Sequence, residues 1–101
     1  MRTQVGIVGA GPAGLLLSQL LHLQGVESTV LECSDRPYVE QRVRAGVLEY
    51  GSAETLREAG VGKRLDAEGM RHDGIELRFG RHGHRIDFAD LVGRTITVYG
   101  Q

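Results

Sequence analysis

The sequence contains no tryptophan, a single cysteine and no excess of either charge sign. Because 12 basic residues nearly balance 13 acidic ones, we expect neither nucleic acid nor a membrane surface as a partner. Cys33 alone cannot close an internal disulfide or build a thiolate metal cluster, so we predict a reducing, cytoplasmic location and no metal site. The apolar runs are too short for a signal peptide or a membrane span. Any anionic ligand must therefore be held by local features of the chain.

Glycine is the residue type in excess, with 15 glycines among 101 residues. This is about twice the average usage in globular proteins. The length corresponds to about one small domain and excludes a second autonomous one. Three of the glycines stand in the pattern G-x-G-x-x-G, which comprises Gly9, Ala10, Gly11, Pro12, Ala13 and Gly14.

The glycine-rich segment lies between a predicted strand and a predicted helix. Val5–Val8 is a short apolar run that predicts a buried strand ending before Gly9. Helical spacing of apolar residues then follows at Ala13, Leu16, Leu17, Leu20 and Leu21, and Gly25 ends the helix. Residues 28–32 return to strand-forming residues. The first 32 residues are therefore predicted to form a βαβ unit with two parallel strands.

In this context the glycine motif is typical of a dinucleotide-binding turn. Gly9 permits the tight turn, Gly11 lets a pyrophosphate approach the backbone, and Gly14 lets the helix pack closely against the strand. Pro12 is compatible with the first helical turn, where an N–H has no intrahelical partner. The phosphates would lie at the positive end of the helix. The alternative is a tight strand-to-helix turn without a ligand.

Glu32 lies about 20 residues after the motif, at the end of the second predicted strand. Its carboxylate can accept hydrogen bonds from both adenosine ribose hydroxyls. A 2′-phosphate at this position would meet like charge, which favours FAD or NAD over NADP. The alternative is a solvated carboxylate at a strand end.

The rest of the chain continues the mixed α/β pattern. Residues 33–41 are polar and contain Pro37, and residues 42–46 form a predicted loop. Helices are predicted within residues 48–59 and 61–68, each ending at a glycine. Residues 75–79 and 85–88 predict a hairpin joined by residues 80–83. Residues 95–99 predict a β-branched strand of the type found in parallel sheets.

Two further features could carry chemistry. Arg42 and Arg44 would lie on one side of an extended segment and could clamp phosphate oxygens, although such a pair is also common on solvated surfaces. Ala45 and Gly46 are small enough for a flat ring to approach. His72 precedes a predicted strand and could carry a proton or be an ordinary surface residue.

With these segments considered together, the chain resembles the N-terminal portion of the 4-hydroxybenzoate 3-monooxygenase family of flavoprotein aromatic hydroxylases. The most particular stretches are residues 42–49, Arg-Val-Arg-Ala-Gly-Val-Leu-Glu, and residues 98–101, Val-Tyr-Gly-Gln. The resemblance implies a Rossmann-like FAD-binding fold, incomplete at the C-terminus, with residues 1–101 forming the N-terminal part of an FAD-binding domain. The substrate domain would lie outside this chain.

The resemblance also implies roles for individual residues. Those expected to bind FAD are Gly9, Gly11, Pro12, Ala13, Gly14, Glu32, Arg42, Val43, Arg44, Ala45, Gly46, Val47 and Gln101. His72 matches a histidine of a proton relay that deprotonates a substrate phenol. The implied reaction converts 4-hydroxybenzoate to 3,4-dihydroxybenzoate with NADPH or NADH and O2, in a homodimeric full-length protein.

Two departures from the family bear on these expectations. Cys33 stands where family members often have an arginine, in a segment tied to the choice between NADPH and NADH. The family's proteins are also several times longer, so this chain is expected to be inactive alone. The alternatives are a noncatalytic module that binds an adenine dinucleotide and a related hydroxylase acting on another phenol.

Overall fold

The computed structural model describes residues 2–42 and 46–99. The chain divides into two compact units, Met1–Val43 and Arg44–Gln101, and each is described by itself. Among the described residues, no helix is both long and apolar enough to cross a membrane.

The first unit contains two strands and two helices: β1 (Val5–Val8), α1 (Pro12–Leu23), β2 (Ser28–Leu31) and α2 (Arg36–Gln41). The strands pair in parallel, with Val5 opposite Ser28 and Val8 opposite Leu31. Helix α1 packs against both strands, and Ile7 of β1 is buried. The predicted βαβ unit is therefore confirmed, and it places the residues after β1 and β2 at the same edge of the sheet.

Helix α2 has no counterpart in the prediction, which treated residues 33–41 only as polar. Its signal is local: the Asp35 carboxylate accepts a hydrogen bond from the Tyr38 N–H at 2.9 Å, and Pro37 lies in the first turn. An aspartate cap followed by proline is a standard helix start. The proline therefore marks the beginning of a helix rather than a break in the chain.

The second unit contains five strands and three helices among its described residues. In chain order these are β3 (Val47–Leu48), α3 (Tyr50–Glu58), α4 (Lys63–Glu68), β4 (Met70–His72), β5 (Gly74–Phe79), β6 (His82–Asp87), α5 (Phe88–Val92) and β7 (Ile96–Val98). The two helices predicted between residues 48 and 68 are present, although α3 begins at Tyr50. Ala53, Ala59 and Leu65 are buried among these elements.

Strand β7 is the middle strand of a three-stranded sheet in the order β3-β7-β4. It pairs antiparallel with both neighbours, with Thr97 opposite Leu48 on one side and Arg71 on the other. The expectation of a parallel-type strand was therefore wrong. Thr97 is buried, and a β-branched composition fits a covered strand of either direction. The short partners β3 and β4 carry no periodicity that predicts them.

The predicted hairpin is present as β5 and β6, with a shorter turn than expected. Phe79 lies opposite His82, so only Gly80 and Arg81 connect the strands. Gly80 has a φ of +59°, as a two-residue hairpin turn requires. Phe88 begins α5 instead of extending the strand, because the Asp87 carboxylate caps the helix by accepting from the Asp90 N–H at 3.0 Å.

Candidate functional site

The turn after β1 is built by Gly9. Its φ of +108° lies in the region that favours glycine, and its N–H donates to the Leu31 carbonyl at 2.7 Å. This hydrogen bond extends the parallel pairing of β1 and β2 by one step. The turn is therefore fixed against the end of the neighbouring strand.

Gly14 allows helix α1 to start directly on this turn. A Cβ atom at Gly14 would lie 2.0 Å from the Gly9 carbonyl oxygen and 3.2 Å from Cγ2 of Ile7. Such a contact with backbone cannot be relieved without moving the helix away from β1. By contrast, a Cβ at Gly9 or Gly11 would meet open space. Close packing thus requires the third glycine, while the first two leave the outer side of the turn open.

The start of α1 presents backbone N–H groups without intrahelical partners. Gly11 is the N-cap, Pro12 opens the helix, and the first helical hydrogen bond runs from the Leu15 N–H to the Gly11 carbonyl at 3.0 Å. The Ala13 and Gly14 N–H groups precede that bond and have no helical acceptor. Among the described residues, no side chain caps this helix start. These donors lie at the positive end of the helix and can hold an anion.

Glu32 follows β2 at the same edge of the sheet. Its Oε2 accepts a hydrogen bond from the Ala10 N–H at 2.8 Å, and its Oε1 accepts one from the Ser34 N–H at 2.9 Å. The hydrogen bond from Ala10, followed by those from Ser34 and the Cys33 thiol, lowers the pKa of Glu32 to about 2. The carboxylate is therefore ionised at neutral pH and lies beside the glycine turn.

This set of groups fits an adenine dinucleotide. The N–H groups of Ala13 and Gly14 match the chemistry of a pyrophosphate, and the open side of the turn leaves room for it. A carboxylate has about four acceptor positions, of which two receive the Ala10 and Ser34 N–H groups and a third receives the Cys33 thiol at 3.4 Å. Glu32 can therefore accept one ribose hydroxyl directly and a second one in place of the weak thiol donor. Among the described residues, no group of three or more metal-ligating side chains could hold a metal ion.

The arginine segment predicted to contact a flavin is only partly described. Arg42 follows the last residue of α2 as its C-cap, and its guanidinium lies 5.8 Å from the centre of the Tyr38 ring, a cation–π contact. Val43, Arg44 and Ala45 lie outside the described residues, as does Gln101. Their assignment to the cofactor stays a prediction.

Gly46 and Val47 are described within the second unit. The Tyr99 N–H donates to the Gly46 carbonyl at 2.9 Å, and a Cβ at Gly46 would lie 2.1 Å from the Tyr99 carbonyl oxygen. Gly46 is therefore required for this close backbone pairing. Val47 opens β3, and 58% of its surface is exposed.

His72 is the last residue of β4 and lies opposite Ile96 of β7. Its side chain is exposed, and the next residue, Asp73, forms an ion pair with Arg85 at 2.5 Å. The position is compatible with proton exchange with solvent, and the predicted relay role stays a prediction.

A polar cluster that the sequence analysis missed lies beside Gly46. The Tyr99 hydroxyl donates to Oε2 of Glu68 at 2.6 Å, and an Arg64 nitrogen reaches the same oxygen at 3.4 Å. Next to the cluster is a cavity of about 260 Å³ with Gly46, Leu48, Leu56, Leu65 and Tyr99 among its lining residues. The tyrosine and the glutamate are 31 residues apart, so no local pattern could have revealed their contact.

Comparison with known proteins agrees with the dinucleotide-binding geometry. A protein-family model described as "FAD binding domain" matches residues 2–101. The chain is 45% identical over its whole length to p-hydroxybenzoate hydroxylase of Acinetobacter baylyi, of which it covers 25%. It is 34% identical over 96% of its length to 3-amino-4-hydroxybenzoate 2-monooxygenase of Streptomyces cremeus, of which it covers 24%.

The solved structure of p-nitrophenol 4-monooxygenase PnpA from Pseudomonas putida DLL-E4 matches 96% of the chain with a TM-score of 0.80 and 25% identity. The chain covers 26% of that structure. The Rossmann-like FAD-binding fold expected from the sequence is thereby confirmed. The chain spans about a quarter of the length of these relatives.

Proposed function

Because the chain belongs to the FAD-binding domain family, we propose that it is the N-terminal part of an FAD-dependent aromatic monooxygenase. The observation that carries the proposal is the pairing of the glycine turn with the ionised Glu32 carboxylate at one edge of the β1–β2 sheet. This arrangement supplies donors for a pyrophosphate and acceptors for a ribose. We assign the adenosine diphosphate half of FAD to the first unit.

Each group of the first unit would act on a defined part of the cofactor. The Ala13 and Gly14 N–H groups would donate hydrogen bonds to pyrophosphate oxygens. Gly11, which has no side chain, would let the pyrophosphate approach the backbone. Glu32 would accept the ribose hydroxyls while its bonds to Ala10 and Ser34 keep it oriented. When bound, FAD supplies the redox chemistry that uses electrons from NAD(P)H and oxygen from O2.

We further propose 4-hydroxybenzoate as the substrate and 3,4-dihydroxybenzoate as the product. Support comes from the 45% identity to p-hydroxybenzoate hydroxylase along the whole chain. Other relatives are named for related phenols, so the aromatic hydroxylase class has broader support than this one substrate. A homodimeric full-length protein and a cytoplasmic location complete the proposal.

The remaining roles follow from the same resemblance. Residues 42–47 and Gln101 would contact the flavin part of FAD. Within this segment, the guanidinium groups of Arg42 and Arg44 would form charge-assisted hydrogen bonds to phosphate oxygens. Gly46 would present its backbone to the flat isoalloxazine ring, while the Tyr99 carbonyl occupies the side on which a Cβ would lie. His72 would exchange the phenol proton with solvent from the outer end of a relay.

The test uses the purified full-length protein that contains this chain. Flavin absorbance after purification, followed by 4-hydroxybenzoate-dependent oxidation of NADPH or NADH with O2 uptake, is the expected result. Acceleration by 4-nitrophenol or 3-amino-4-hydroxybenzoate instead would overturn the substrate and keep the class. Bound FAD without any phenol-dependent oxidation would favour a noncatalytic module, and a protein without flavin affinity would overturn the proposal.

A further inference from the structure

We propose that Tyr99, anchored through its hydroxyl to Glu68, is a positioning residue that sets the Gly46 backbone for the isoalloxazine part of FAD. This inference rests on the proposed function, because it assigns Gly46 to the flavin. It adds residues that neither the glycine motif nor the arginine segment contains. All of them lie in the second unit.

The backbones of Tyr99 and Gly46 are in direct contact. The Tyr99 N–H donates to the Gly46 carbonyl at 2.9 Å, one step beyond the pairing of Val47 with Val98. A Cβ at Gly46 would lie 2.1 Å from the Tyr99 carbonyl oxygen, so the two backbones are in close contact on this side. A shift of Tyr99 must therefore be transmitted to Gly46.

The Tyr99 side chain is hydrogen-bonded to another element, helix α4. Its hydroxyl donates to Oε2 of Glu68 at 2.6 Å, and Glu68 is the last residue of α4. Arg64, one turn earlier on α4, approaches the same oxygen at 3.4 Å and lies 6.0 Å from the centre of the Tyr99 ring. Helix α4 thus contacts the hydroxyl and the ring of the residue that pairs with Gly46.

One side of the pair formed by Gly46 and Tyr99 borders a cavity and is not supported by packing. Gly46 and Tyr99 both line the cavity of about 260 Å³, together with Leu48 and Leu65. Atoms that border a cavity lack van der Waals partners on that side. The hydrogen bond to Glu68 is therefore the directional contact that determines where the Tyr99 ring lies.

The hydrogen bond from the Tyr99 hydroxyl to Glu68 is charge-assisted, which strengthens it as an anchor for the Tyr99 ring. Accepting from Tyr99, with Arg64 close by, lowers the pKa of Glu68, and the same bond raises the pKa of Tyr99. At neutral pH a phenol donor therefore faces an ionised acceptor, which is a stronger bond than one between neutral groups. Both groups are solvent-accessible, so a large contribution to folding stability is not expected.

The experiment measures the affinities of the full-length apoprotein for FAD and for ADP after Tyr99→Phe. ADP lacks the flavin and is bound mainly by the glycine turn and Glu32 of the first unit, with Arg44 as its proposed contact in the second, so its Kd should change far less than the Kd for FAD. The Kd for FAD should rise by a few-fold and by no more than about tenfold, because the free energy of one hydrogen bond limits how far its loss can shift the binding equilibrium. The visible absorbance of the bound flavin should also shift, since the ring would sit against an altered backbone.

Matched variants separate positioning from a general structural effect. Tyr50→Phe removes the same oxygen from a tyrosine of α3 that lies beside Arg94, and it should change neither affinity. Glu68→Gln keeps an acceptor oxygen for the Tyr99 hydroxyl, so it should weaken FAD binding less than Tyr99→Phe does. If Tyr99 acts through Glu68, the double variant should be no worse than Tyr99→Phe alone.

The outcomes are distinguishable from failure of the proposed function. An unaltered protein that binds no FAD overturns both proposals. FAD binding that is unaffected by Tyr99→Phe overturns the positioning role and leaves the proposed function intact. Equal weakening of FAD binding and ADP binding by Tyr99→Phe also overturns the positioning role, because that result indicates general destabilisation.

Discussion

The Oε2 atom of Glu32 accepts a hydrogen bond from the Ala10 N–H at 2.8 Å, which joins the end of β2 to the turn after β1. The other carboxylate oxygen binds the Ser34 N–H at 2.9 Å. The acid proposed to bind a ribose is therefore already oriented by the backbone on both sides. Preorganisation of this kind reduces the side-chain entropy lost when a ligand binds.

The first prediction concerns the Glu32 charge. Glu32→Gln should raise the Kd for FAD by about 10- to 100-fold, because it removes charge-assisted hydrogen bonds to two hydroxyls. Fluorescence titration of the apoprotein measures the change. ADP lacking both ribose hydroxyls should bind the two proteins equally well.

Glu27→Gln is the matched control for this variant. Glu27 is exposed just before β2, and its backbone N–H rather than its side chain forms the hydrogen bond to Gln4. A loss of FAD affinity in Glu27→Gln as large as in Glu32→Gln would contradict a specific ribose role for Glu32.

The second prediction concerns discrimination against a 2′-phosphate. The ionised Glu32 should repel a phosphate on the ribose, so the Kd for 2′-phospho-ADP should be at least about tenfold higher than the Kd for ADP. Calorimetry on the apoprotein compares the two ligands. Glu32→Gln should reduce the difference in affinity between ADP and 2′-phospho-ADP. Tighter binding of 2′-phospho-ADP than of ADP by the unaltered protein would contradict repulsion by Glu32.

The third prediction concerns pH. The hydrogen bond from Ala10, the largest cause, lowers the pKa of Glu32 from its ordinary value of 4.5 to about 2. A lowered folded-state pKa adds stability that is complete above the ordinary pKa and is lost as the pH falls through the folded-state value. The stability difference between the unaltered protein and Glu32→Gln should therefore be flat near neutral pH and shrink in acid.

Urea unfolding at a series of pH values measures this difference. The protonated wild-type carboxyl resembles the amide of the variant, which is why the two proteins should converge in acid. A difference that disappears near neutral pH, or that grows as the pH falls, would be inconsistent with the lowered pKa.

The fourth prediction concerns the contact of Gly14 with the turn. Gly14→Ala should destabilise the fold by about 1–3 kcal/mol, since its Cβ would lie 2.0 Å from the Gly9 carbonyl oxygen. Gly51→Ala is the control, because a Cβ there meets open space within α3. It should be neutral or stabilise by up to about 1 kcal/mol. Similar unfolding midpoints for the two variants would count against the close contact.

The sequence predicted the first unit well because its signals are local. The apolar run of β1, the glycine motif and the periodicity of α1 occupy consecutive segments, and β2 follows within a short distance. Glu32 could be identified because the parallel register brings residues after β1 and β2 together. In this unit, spacing along the chain is enough to deduce which groups meet.

The second unit was harder to predict because its contacts are non-local. Strands β3 and β4 are two and three residues long, and they exist through pairing with β7 near the end of the chain. The contact between Tyr99 and Glu68 likewise depends on how β7 lies beside α4. The direction of a strand, and contacts between side chains that are distant in sequence, are determined by tertiary packing rather than by local composition.

The central claim is that the glycine turn and Glu32 bind the adenosine diphosphate half of FAD. Its most direct test is a fluorescence titration of the full-length apoprotein with FAD, with ADP as competitor. We predict saturation at one FAD per chain, displacement by ADP, and a large loss of affinity in Glu32→Gln. Absence of saturable binding, or binding that neither ADP nor Glu32→Gln affects, would contradict the claim.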